Sequence, residues 1–314
     1  MAVSSTQLLR VIQQFRRYYD RHFSELLSRT GLSMREIHVV LFLANHPAHD
    51  TARDVTELRG LAKSQVSAAV DLLAARGIPA FGPDKAAARI EGSKVFAKDL
   101  MRRYGIPTAR YETFDDAEAA LSYVRTAPCP VVVKADGLAL GKGVLICETH
   151  EQAVAGLKEI MLDKAFGSAG NTLVVEDFLT GFECSALAFC DGKTVVPMTT
   201  SQDHKRALDG NKGLNTGGMG TVAPNPYYTP EIARECMDTI FLPTVRAMKN
   251  EGRTFRGCLY FGLMLTPDGP KVIEYNCRFG DPETQAVLPL LESDLLEIML
   301  ACTEGRLKDV EVRF

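Results

Sequence analysis

Residues 271–284, KVIEYNCRFGDPET, constrain the fold more than any other segment of this chain. Successive side chains of a β-strand point to opposite faces, so a strand here turns Glu274, Asn276 and Arg278 to one face. The apolar residues between and around them fill the other face: Ile273, Tyr275, Cys277 and Phe279. The alternation predicts a half-buried strand with a row of polar groups on its accessible side.

The polar face of this strand suits a divalent cation bound to a nucleotide. Carboxylate and carboxamide oxygens are hard metal ligands, and a guanidinium clamps anions in a fixed geometry. Gly280, Asp281 and Pro282 predict an abrupt turn, after which Asp281 and Glu283 add two acids beside the strand end. A merely solvated polar face explains the alternation alone equally well. The assignment therefore depends on the rest of the chain.

Composition places the chain among globular proteins. Of its 314 residues, 46% are hydrophobic and 24% charged, and the net charge is -3. No apolar run approaches the roughly 20 residues of a membrane-spanning helix, and the start, MAVSSTQLLR, lacks the order of a signal peptide. The eight cysteines show neither CxxC nor metal spacing, which is typical of buried thiols in a reducing compartment. We expect a cytoplasmic protein without a membrane partner.

Residues 1–78 differ in pattern from the remainder, since they contain three glycines, no cysteine and helical periodicity throughout. Helices are expected over residues 6–29, 33–45, 51–59 and 63–76. The short third helix, the Gly60-Leu61 turn and the last helix have helix-turn-helix spacing. The stretch GLAKSQVSAAVDLLAARG resembles the recognition helix of MarR-type winged-helix regulators. The polar residues that would meet DNA are Lys63, Ser64, Gln65 and Ser67.

Two features of this segment favour a helical appendage without a DNA site. The β-hairpin wing of MarR-type regulators does not follow Gly77. The segment carries 10 Lys and Arg residues against 7 Asp and Glu, a net charge of +3, which is a weak footprint for phosphate binding. DNA binding and a purely structural role both stay open.

Phosphate-binding features accumulate after residue 82. Lys94 and Lys98 lie four residues apart, hence on one helical face, for which a surface lysine pair is the ordinary explanation. A buried strand over residues 131–134 ends in Lys134 and leads into a turn whose backbone N–H groups suit phosphate oxygens, with Lys142 adding charge. The spacing is not that of a Walker A motif, and a flexible hairpin is the alternative. The turn contains Gly137, Gly141 and Gly143.

Two further segments complete a nucleotide site. In NTLVVEDFLTGFE, a buried strand ends at Glu176, an extended stretch through Leu179 offers backbone groups to an adenine edge, and Glu183 is placed to accept from ribose hydroxyls. In SQDHKRALDGNKGLNTGGMG, the residues Asp203, Lys205 and Arg206 offer a clamp for an anionic substrate. His204 in that loop is expected to be a hydrogen-bonding side chain, and the loop's glycine-rich end, residues 215–220, predicts a lid over phosphates.

Taken together, these motifs resemble the phosphoribosylamine–glycine ligases, ATP-grasp enzymes of purine synthesis. The motifs GIPAFGPDKAAARIEGSKVFAKDLM, KADGLALGKGV, TSQDHKRALDGNKGLNTGGMG and YNCRFGDPETQ stand in that family's order. The resemblance implies an α+β ATP-grasp fold, with two subdomains gripping ATP, over residues 79–314. A small all-α helix-turn-helix segment, residues 1–78, precedes it.

The resemblance also implies roles for matching residues. Lys94 and Lys134, with the loop residues Gly141, Lys142 and Gly143, would bind ATP phosphates. Glu176 and Leu179 would contact the adenine and Glu183 the ribose. Glu274 and Asn276 would hold Mg²⁺ or Mn²⁺. Arg278, Lys205 and Arg206 would neutralise the acyl phosphate or the substrate phosphate.

The implied reaction joins glycine to 5-phosphoribosylamine through glycyl phosphate, giving glycinamide ribonucleotide, ADP and phosphate. The family's amino-terminal domain, which supplies part of the substrate site, and its small carboxy-terminal domain have no match in this sequence. We therefore expect ATP binding within residues 79–314 and a substrate site that these residues supply in part. The alternatives are a nucleotide-binding chimera without turnover and a MarR-like DNA-binding regulator joined to an ATP-grasp module.

Overall fold

A computed structural model describes residues 23–24, 27–45, 55–57, 61–78, 80–137, 143–210, 212–216 and 218–314. The chain divides into two compact units, residues 1–80 and 81–314. Among the described residues, no helix has the length and apolar character needed to cross a membrane.

The first unit contains two described helices, α1 (Met34–Asn45) and α2 (Lys63–Ala75), which confirm two of the predicted helices. Both pack their apolar faces into one small core that includes Val39, Phe42, Val66 and Leu73. Residues 23–24, 27–30 and 55–57 are helical, and the rest of the helices expected over residues 6–29 and 51–59 lies outside the described residues.

The second unit begins with a four-stranded antiparallel sheet, here called the small sheet, whose strand order is β1-β4-β2-β3. Two helices pack on one of its faces and enclose an apolar core with Val133, Leu157 and Val175 at its centre. Side-chain caps start three of the helices, as Ser93, Asp116 and Thr149 accept from backbone N–H groups of the first turn. The elements are α3 (Arg89–Gly92), α4 (Lys94–Tyr104), β1 (Tyr111–Phe114), α5 (Ala117–Val124), β2 (Val131–Ala135), β3 (Val144–Cys147), α6 (His150–Leu157) and β4 (Leu173–Asp177).

A second four-stranded antiparallel sheet, the large sheet, has the order β12-β11-β5-β6. Two short ribbons, β7 with β10 and β8 with β9, lie in the loop region between β6 and β11. The elements are β5 (Phe182–Cys190), β6 (Val195–Pro197), β7 (Gln202–Asp203), β8 (Arg206–Leu208), β9 (Lys212–Asn215), β10 (Thr221–Val222), α7 (Pro230–Cys236), α8 (Leu242–Asn250), β11 (Gly257–Thr266), β12 (Gly269–Asn276), α9 (Glu283–Val287) and α10 (Leu295–Glu304).

Both faces of the large sheet are covered, which explains why β5 and β11 read as continuous apolar runs. One face packs against α4, α7 and α8 through residues such as Phe241, Phe261 and Tyr275. The opposite face packs against α10 through Phe189, Tyr260 and other apolar residues. The prediction of an α+β fold preceded by a helical segment is confirmed.

The strand β12 departs from strict alternation. Gly262 of β11 pairs with Glu274, but its neighbour Leu263 pairs with Val272, so Ile273 is the extra residue of a β-bulge. Val272 is fully buried, whereas Ile273 is half-buried. The prediction that Ile273 fills the core face is therefore wrong, because the bulge gives that place to Val272.

Candidate active site

The end of β12 presents Glu274 and Asn276 side by side. They pair with Gly262 and Tyr260 of β11, and Asn276 Nδ2 donates to Glu274 Oε1 over 3.5 Å. A Cβ atom on Gly262 would lie 3.0 Å from the Glu274 Cγ atom, so the glycine leaves room for that carboxylate. The predicted polar face is confirmed for these two residues, which place a carboxylate and a carboxamide next to each other.

Arg278 follows this pair but lies beyond the strand, which ends at Asn276. Its Nη2 donates to Asn276 Oδ1 over 3.5 Å and its Nη1 to the Phe279 carbonyl over 3.0 Å. Its Nε lies 3.6 Å from Glu91 Oε1, while Glu91 Oε2 accepts from the Cys277 N–H at 2.7 Å. Glu91 therefore anchors the residues after β12 and keeps Arg278, 57% exposed, beside the Glu274–Asn276 pair.

Behind this strand lies a buried cluster of three charges. Glu176 of β4 has Lys98 Nζ 2.9 Å from Oε2 and Lys134 Nζ 2.9 Å from Oε1, and all three side chains are at most 4% exposed. Within the described part of the chain, Lys134 is the one donor against Oε1, and a carboxylate oxygen has two lone pairs, so Oε1 keeps capacity to accept. Burial acts to raise the pKa of Glu176, but Lys134 and Lys98 outweigh it and hold that pKa below its ordinary value.

Lys98 was expected to belong to a surface lysine pair, and this expectation is wrong. Its position on α4 turns it inward, where its ammonium also donates to Thr108 Oγ1 over 2.7 Å. Burial lowers the pKa of Lys98 to about 8, against the opposing effect of Glu176. The four-residue spacing from Lys94 marked the helix face, but only the fold reveals which residues cover it.

Lys94 lies at the start of α4 and faces the glycine-rich turn. Its Nζ donates to the Gly137 carbonyl over 2.8 Å, and burial, followed by the charge of Lys134, lowers its pKa. Asp136 accepts from the Val95 N–H and the Ser93 hydroxyl, which ties the turn to the helix start. The conformation at Gly137, φ +111°, favours glycine, and an added Cβ would crowd Ala169.

The rest of this turn is described in part. Gly143 is buried, and its carbonyl accepts from the Ala135 N–H at the end of β2. The positions predicted for phosphate binding at Gly141 and Lys142 lie outside the described residues. Leu179 is half-buried in the extended stretch after β4, and Glu183 is exposed at the start of β5.

The polar loop after β6 brings Lys205, one of the residues predicted to bind an anion, to the site. Lys205 Nζ lies 3.4 Å from Glu183 Oε2, and the charges of Glu183 and Glu274 raise the pKa of Lys205 despite burial, which acts in the opposite direction. Arg206 contributes the first residue of β8, and its side chain lies outside the described part of the chain. His204 Nδ1 bonds the Gly220 carbonyl at 3.1 Å, as expected of a hydrogen-bonding histidine.

A second buried carboxylate, Glu283, supports the strands beneath the site. Its Oε1 accepts from the Ser185 hydroxyl and the Tyr260 hydroxyl, each over 3.1 Å. Tyr260 is the cross-strand neighbour of Asn276, so this hydrogen-bond network fixes the strand beside Glu274 and Asn276. Sequence reasoning placed Glu283 beside the strand end but gave no sign of this burial. Asp281 is exposed and accepts from Gln285.

Two antiparallel four-stranded sheets are joined where Lys134 of β2 donates to the Ile273 carbonyl of β12 over 3.3 Å. The sheets carry Lys134, Glu176 and the Glu274–Asn276 pair, and α4 adds Lys94 and Lys98. This arrangement defines an ATP-grasp protein. The sequence model described as "Phosphoribosylglycinamide synthetase, ATP-grasp (A) domain" matches residues 92–284, and the chain belongs to this family. The model of the MarR family matches residues 30–90.

Individual relatives agree with this assignment. A phosphoribosylamine–glycine ligase of Yersinia pestis is 52% identical over 241 residues, which cover 76% of this chain and 56% of that protein. A bifunctional purine biosynthetic protein of Schizosaccharomyces pombe is 55% identical over 236 residues, covering 75% of this chain and 30% of that protein. The crystal structure of the Thermotoga maritima ligase matches with a TM-score of 0.67 and 38% identity, covering 72% of this chain and 57% of that one. The chain thus spans between 30% and 57% of the length of these relatives.

Proposed function

We propose that residues 81–314 bind ATP with a divalent cation and use it to join glycine to 5-phosphoribosylamine. The observation that carries the proposal is the Glu274–Asn276 pair at the end of β12. The pair lies beside Arg278 and near buried lysines that suit a polyphosphate. The names of the relatives supply the substrates, since the Yersinia and Thermotoga proteins are phosphoribosylamine–glycine ligases. The products are glycinamide ribonucleotide, ADP and phosphate, and the reaction is a step of purine biosynthesis.

The nucleotide would lie between the two sheets. Lys94 and Lys142 would bind its phosphates with the glycine-rich turn, and Lys134 would bridge the phosphates and Glu176. Glu176 and the backbone at Leu179 would receive the adenine edge, and Glu183 the ribose. Glu183 is exposed and Lys94 is half-buried, so both side chains are accessible to an incoming ligand.

The residues present fit a metal that arrives with the nucleotide. Within the described part of the chain, no group of three or more His, Cys, Asp and Glu residues could hold a metal on its own. Mg²⁺ characteristically takes one or two protein carboxylates and completes its octahedron with water and phosphate oxygens. Glu274 and Asn276 supply such a partial set, so we propose Mg²⁺, with Mn²⁺ as its substitute. Bound there, the metal would neutralise phosphate charge.

The protein groups would act mainly by positioning and neutralising charge. The glycine carboxylate attacks the γ-phosphorus of ATP, ADP leaves, and the amine of 5-phosphoribosylamine then attacks the carbonyl of glycyl phosphate and expels phosphate. Arg278, Lys205 and Arg206 would hold the negative charge that develops on the transferred group. A site rich in cations and poor in histidine suits this chemistry better than proton transfer.

The deciding experiment is ADP release by the purified chain with Mg-ATP and glycine, with and without freshly generated 5-phosphoribosylamine. We expect release that requires both substrates, since sustained turnover needs the amine to accept the glycyl group from glycyl phosphate. ATP binding without such release would reject the ligase activity for this chain and leave a nucleotide-binding protein. The reaction belongs to the cytoplasm, a compartment that also suits eight unpaired cysteine thiols.

DNA binding by α2 is the second candidate function. Its carrying observation is the MarR match over residues 30–90, together with the exposed side chains of Lys63, Ser64 and Ser67 on α2. Gln65 is less available, because its Oε1 accepts from the Ala62 N–H at the helix start. We expect duplex affinity that falls with salt, and a further loss in Lys63→Ala but not in Lys249→Ala on the other unit. Flat titrations of the unmodified chain would reject this function.

A further inference from the structure

Lys98 is almost completely buried, which is unusual for a lysine because its charge then needs strong partners within the protein. Its side chain is 3% exposed, and its ammonium contacts Glu176 Oε2 at 2.9 Å and Thr108 Oγ1 at 2.7 Å. It also lies 5.6 Å from the ring centroid of Tyr111 on β1. Removing a lysine charge from water is costly unless it is paired. The ammonium of Lys98 lies between Glu176 and Thr108, so any role it has is exerted through these two partners.

The partners of Lys98 tie Glu176 to the large sheet by two routes. On one side, Thr108 receives the Lys98 hydrogen bond and donates its own hydroxyl to the Val272 carbonyl over 2.7 Å. On the other side, Lys134 contacts Glu176 and donates to the Ile273 carbonyl over 3.3 Å. The two receiving carbonyls are neighbours at the bulge of β12, so Glu176 is held between two cations anchored at the same place.

This arrangement fixes the chemical character of Glu176. An ionised carboxylate accepts hydrogen bonds and donates none, whereas a protonated one carries a donor. One lysine would offset the charge of Glu176, and the second leaves the cluster with a net positive charge that opposes protonation of the carboxylate. Oε1 retains capacity to accept, because Lys134 occupies at most one of its two lone pairs.

We propose that Lys98 is a positioning residue that keeps Glu176 ionised and fixed, and thereby makes the site select a nucleobase with an exocyclic amine over a 6-oxo purine. The inference rests on the proposed binding of ATP with its base at Glu176. An amine edge donates to the carboxylate, whereas the carbonyl of a 6-oxo purine brings a second acceptor against it. Such a mismatch leaves buried polar groups unpaired, which is an effective basis for rejection.

The test is a set of dissociation constants for Mg-ATP, Mg-GTP and Mg-tripolyphosphate, measured by calorimetry on the full chain. In Lys98→Met we expect the ATP affinity to fall and the preference for ATP over GTP to shrink by about tenfold or more, the size of one lost charge-assisted hydrogen bond. Tripolyphosphate has no base, so its affinity is expected to stay within about twofold of the unmodified chain. Lys249→Met, an exposed lysine on α8, is the matched control and is expected to change none of the three constants.

A second variant protects the test against misfolding. Thr108→Val keeps every charge but removes the hydroxyl between Lys98 and the Val272 carbonyl, so it is expected to reduce the ATP preference in the same direction by a smaller factor. An unchanged ATP-to-GTP ratio in the folded Lys98→Met protein, or in Thr108→Val if Lys98→Met does not fold, would overturn the inference. An equal loss of affinity for tripolyphosphate would also overturn it, because Lys98 would then act on phosphate binding. An unmodified chain that binds none of the three ligands rejects the proposed function itself, before any variant is compared.

Discussion

The contacts of Glu176 with its two lysines are the part of the structure that the sequence predicts least. The sequence marked Glu176 as the end of a buried strand and Lys134 as the end of another, and it placed Lys98 on a helix face. None of these patterns indicates that the three side chains meet, because the contact depends on how α4 packs on the small sheet. Burial of a charge is a property of the assembled fold. Because lysines are mostly exposed in proteins, the sequence predicts an exposed Lys98.

The Glu176 cluster makes stability depend on pH in the acid range. Its lysines hold the pKa of Glu176 below the ordinary value, so the carboxylate stabilises the folded chain above about pH 4.5, and this contribution is lost as the pH falls through the lower folded value. At pH 7, Glu176→Gln leaves Lys98 and Lys134 without their counter-charge and is expected to cost about 3–5 kcal/mol. Urea unfolding of both proteins between pH 7 and pH 3.5 measures the difference.

The gap in unfolding free energy between the unmodified chain and Glu176→Gln is expected to be largest at neutral pH and to narrow toward pH 3.5. In the unmodified chain Lys98 keeps its proton throughout this range, since its pKa is about 8, so the pH dependence of that protein reports the carboxylate. A gap that stays constant from pH 7 to pH 3.5 would mean that Glu176 titrates alike in the folded and unfolded chain. The ion pairs would then contribute nothing through its charge.

At the scale of elements, alternation in the sequence was enough to place Glu274 and Asn276 on one face of β12. It failed at Ile273, because a bulge is decided by the pairing of two strands and not by either alone. The extra residue has a consequence for the site, since it turns the Val272 and Ile273 carbonyls to the hydroxyl of Thr108 and the ammonium of Lys134. The bulge thus links β12 to the small sheet, just before its metal-type ligands.

The helix α2 illustrates the same limit in the first unit. Its bounds agree with the helix expected over residues 63–76, and Val66, Ala69 and Leu73 form its buried side. The cap made by Gln65 was not predicted, because a polar residue at the third position of a helix serves equally well as a cap or as a contact to a ligand. Local patterns therefore gave the element, and only the structure assigned its polar side chains.

At the scale of the whole molecule, the order of motifs was more informative than any single motif. Neither the glycine-rich turn nor the strand at Glu274 identifies a nucleotide site alone. The order of the segments is a strand ending near Lys134, a strand ending near Glu176, a polar loop and the Glu274 strand, and it corresponds to β2, β4, the loop with β7–β10 and β12. The relation between the two sheets could not be read from composition or periodicity. It rests on contacts such as that of Lys134 with the Ile273 carbonyl, which join segments far apart in the chain.

Ligand-linked stability tests this two-sheet site as a unit. A nucleotide that binds only the folded chain, at about 100 times its dissociation constant, stabilises it by about 2.7 kcal/mol and raises the melting temperature of a unit of this size by about 5–10 °C. We expect Mg-ATP to produce such a shift in the unmodified chain, and ATP with EDTA to produce little of it. In Glu274→Ala the Mg²⁺-dependent part is expected to vanish, because Asn276 alone offers the metal no negative ligand.

Two further variants make this experiment decisive. Gly262→Ala keeps the carboxylate but places a Cβ 3.0 Å from the Glu274 Cγ atom, so it is expected to reduce the Mg²⁺-dependent shift without abolishing it. Glu292→Ala removes an exposed carboxylate outside the site and should leave the shift intact. If Glu274→Ala retains the full Mg²⁺-dependent stabilisation, the metal is held by other groups and the role assigned to the β12 face is wrong. If the shift is lost in Glu274→Ala and intact in Glu292→Ala, the loss comes from the position of the carboxylate and not from the change in net charge.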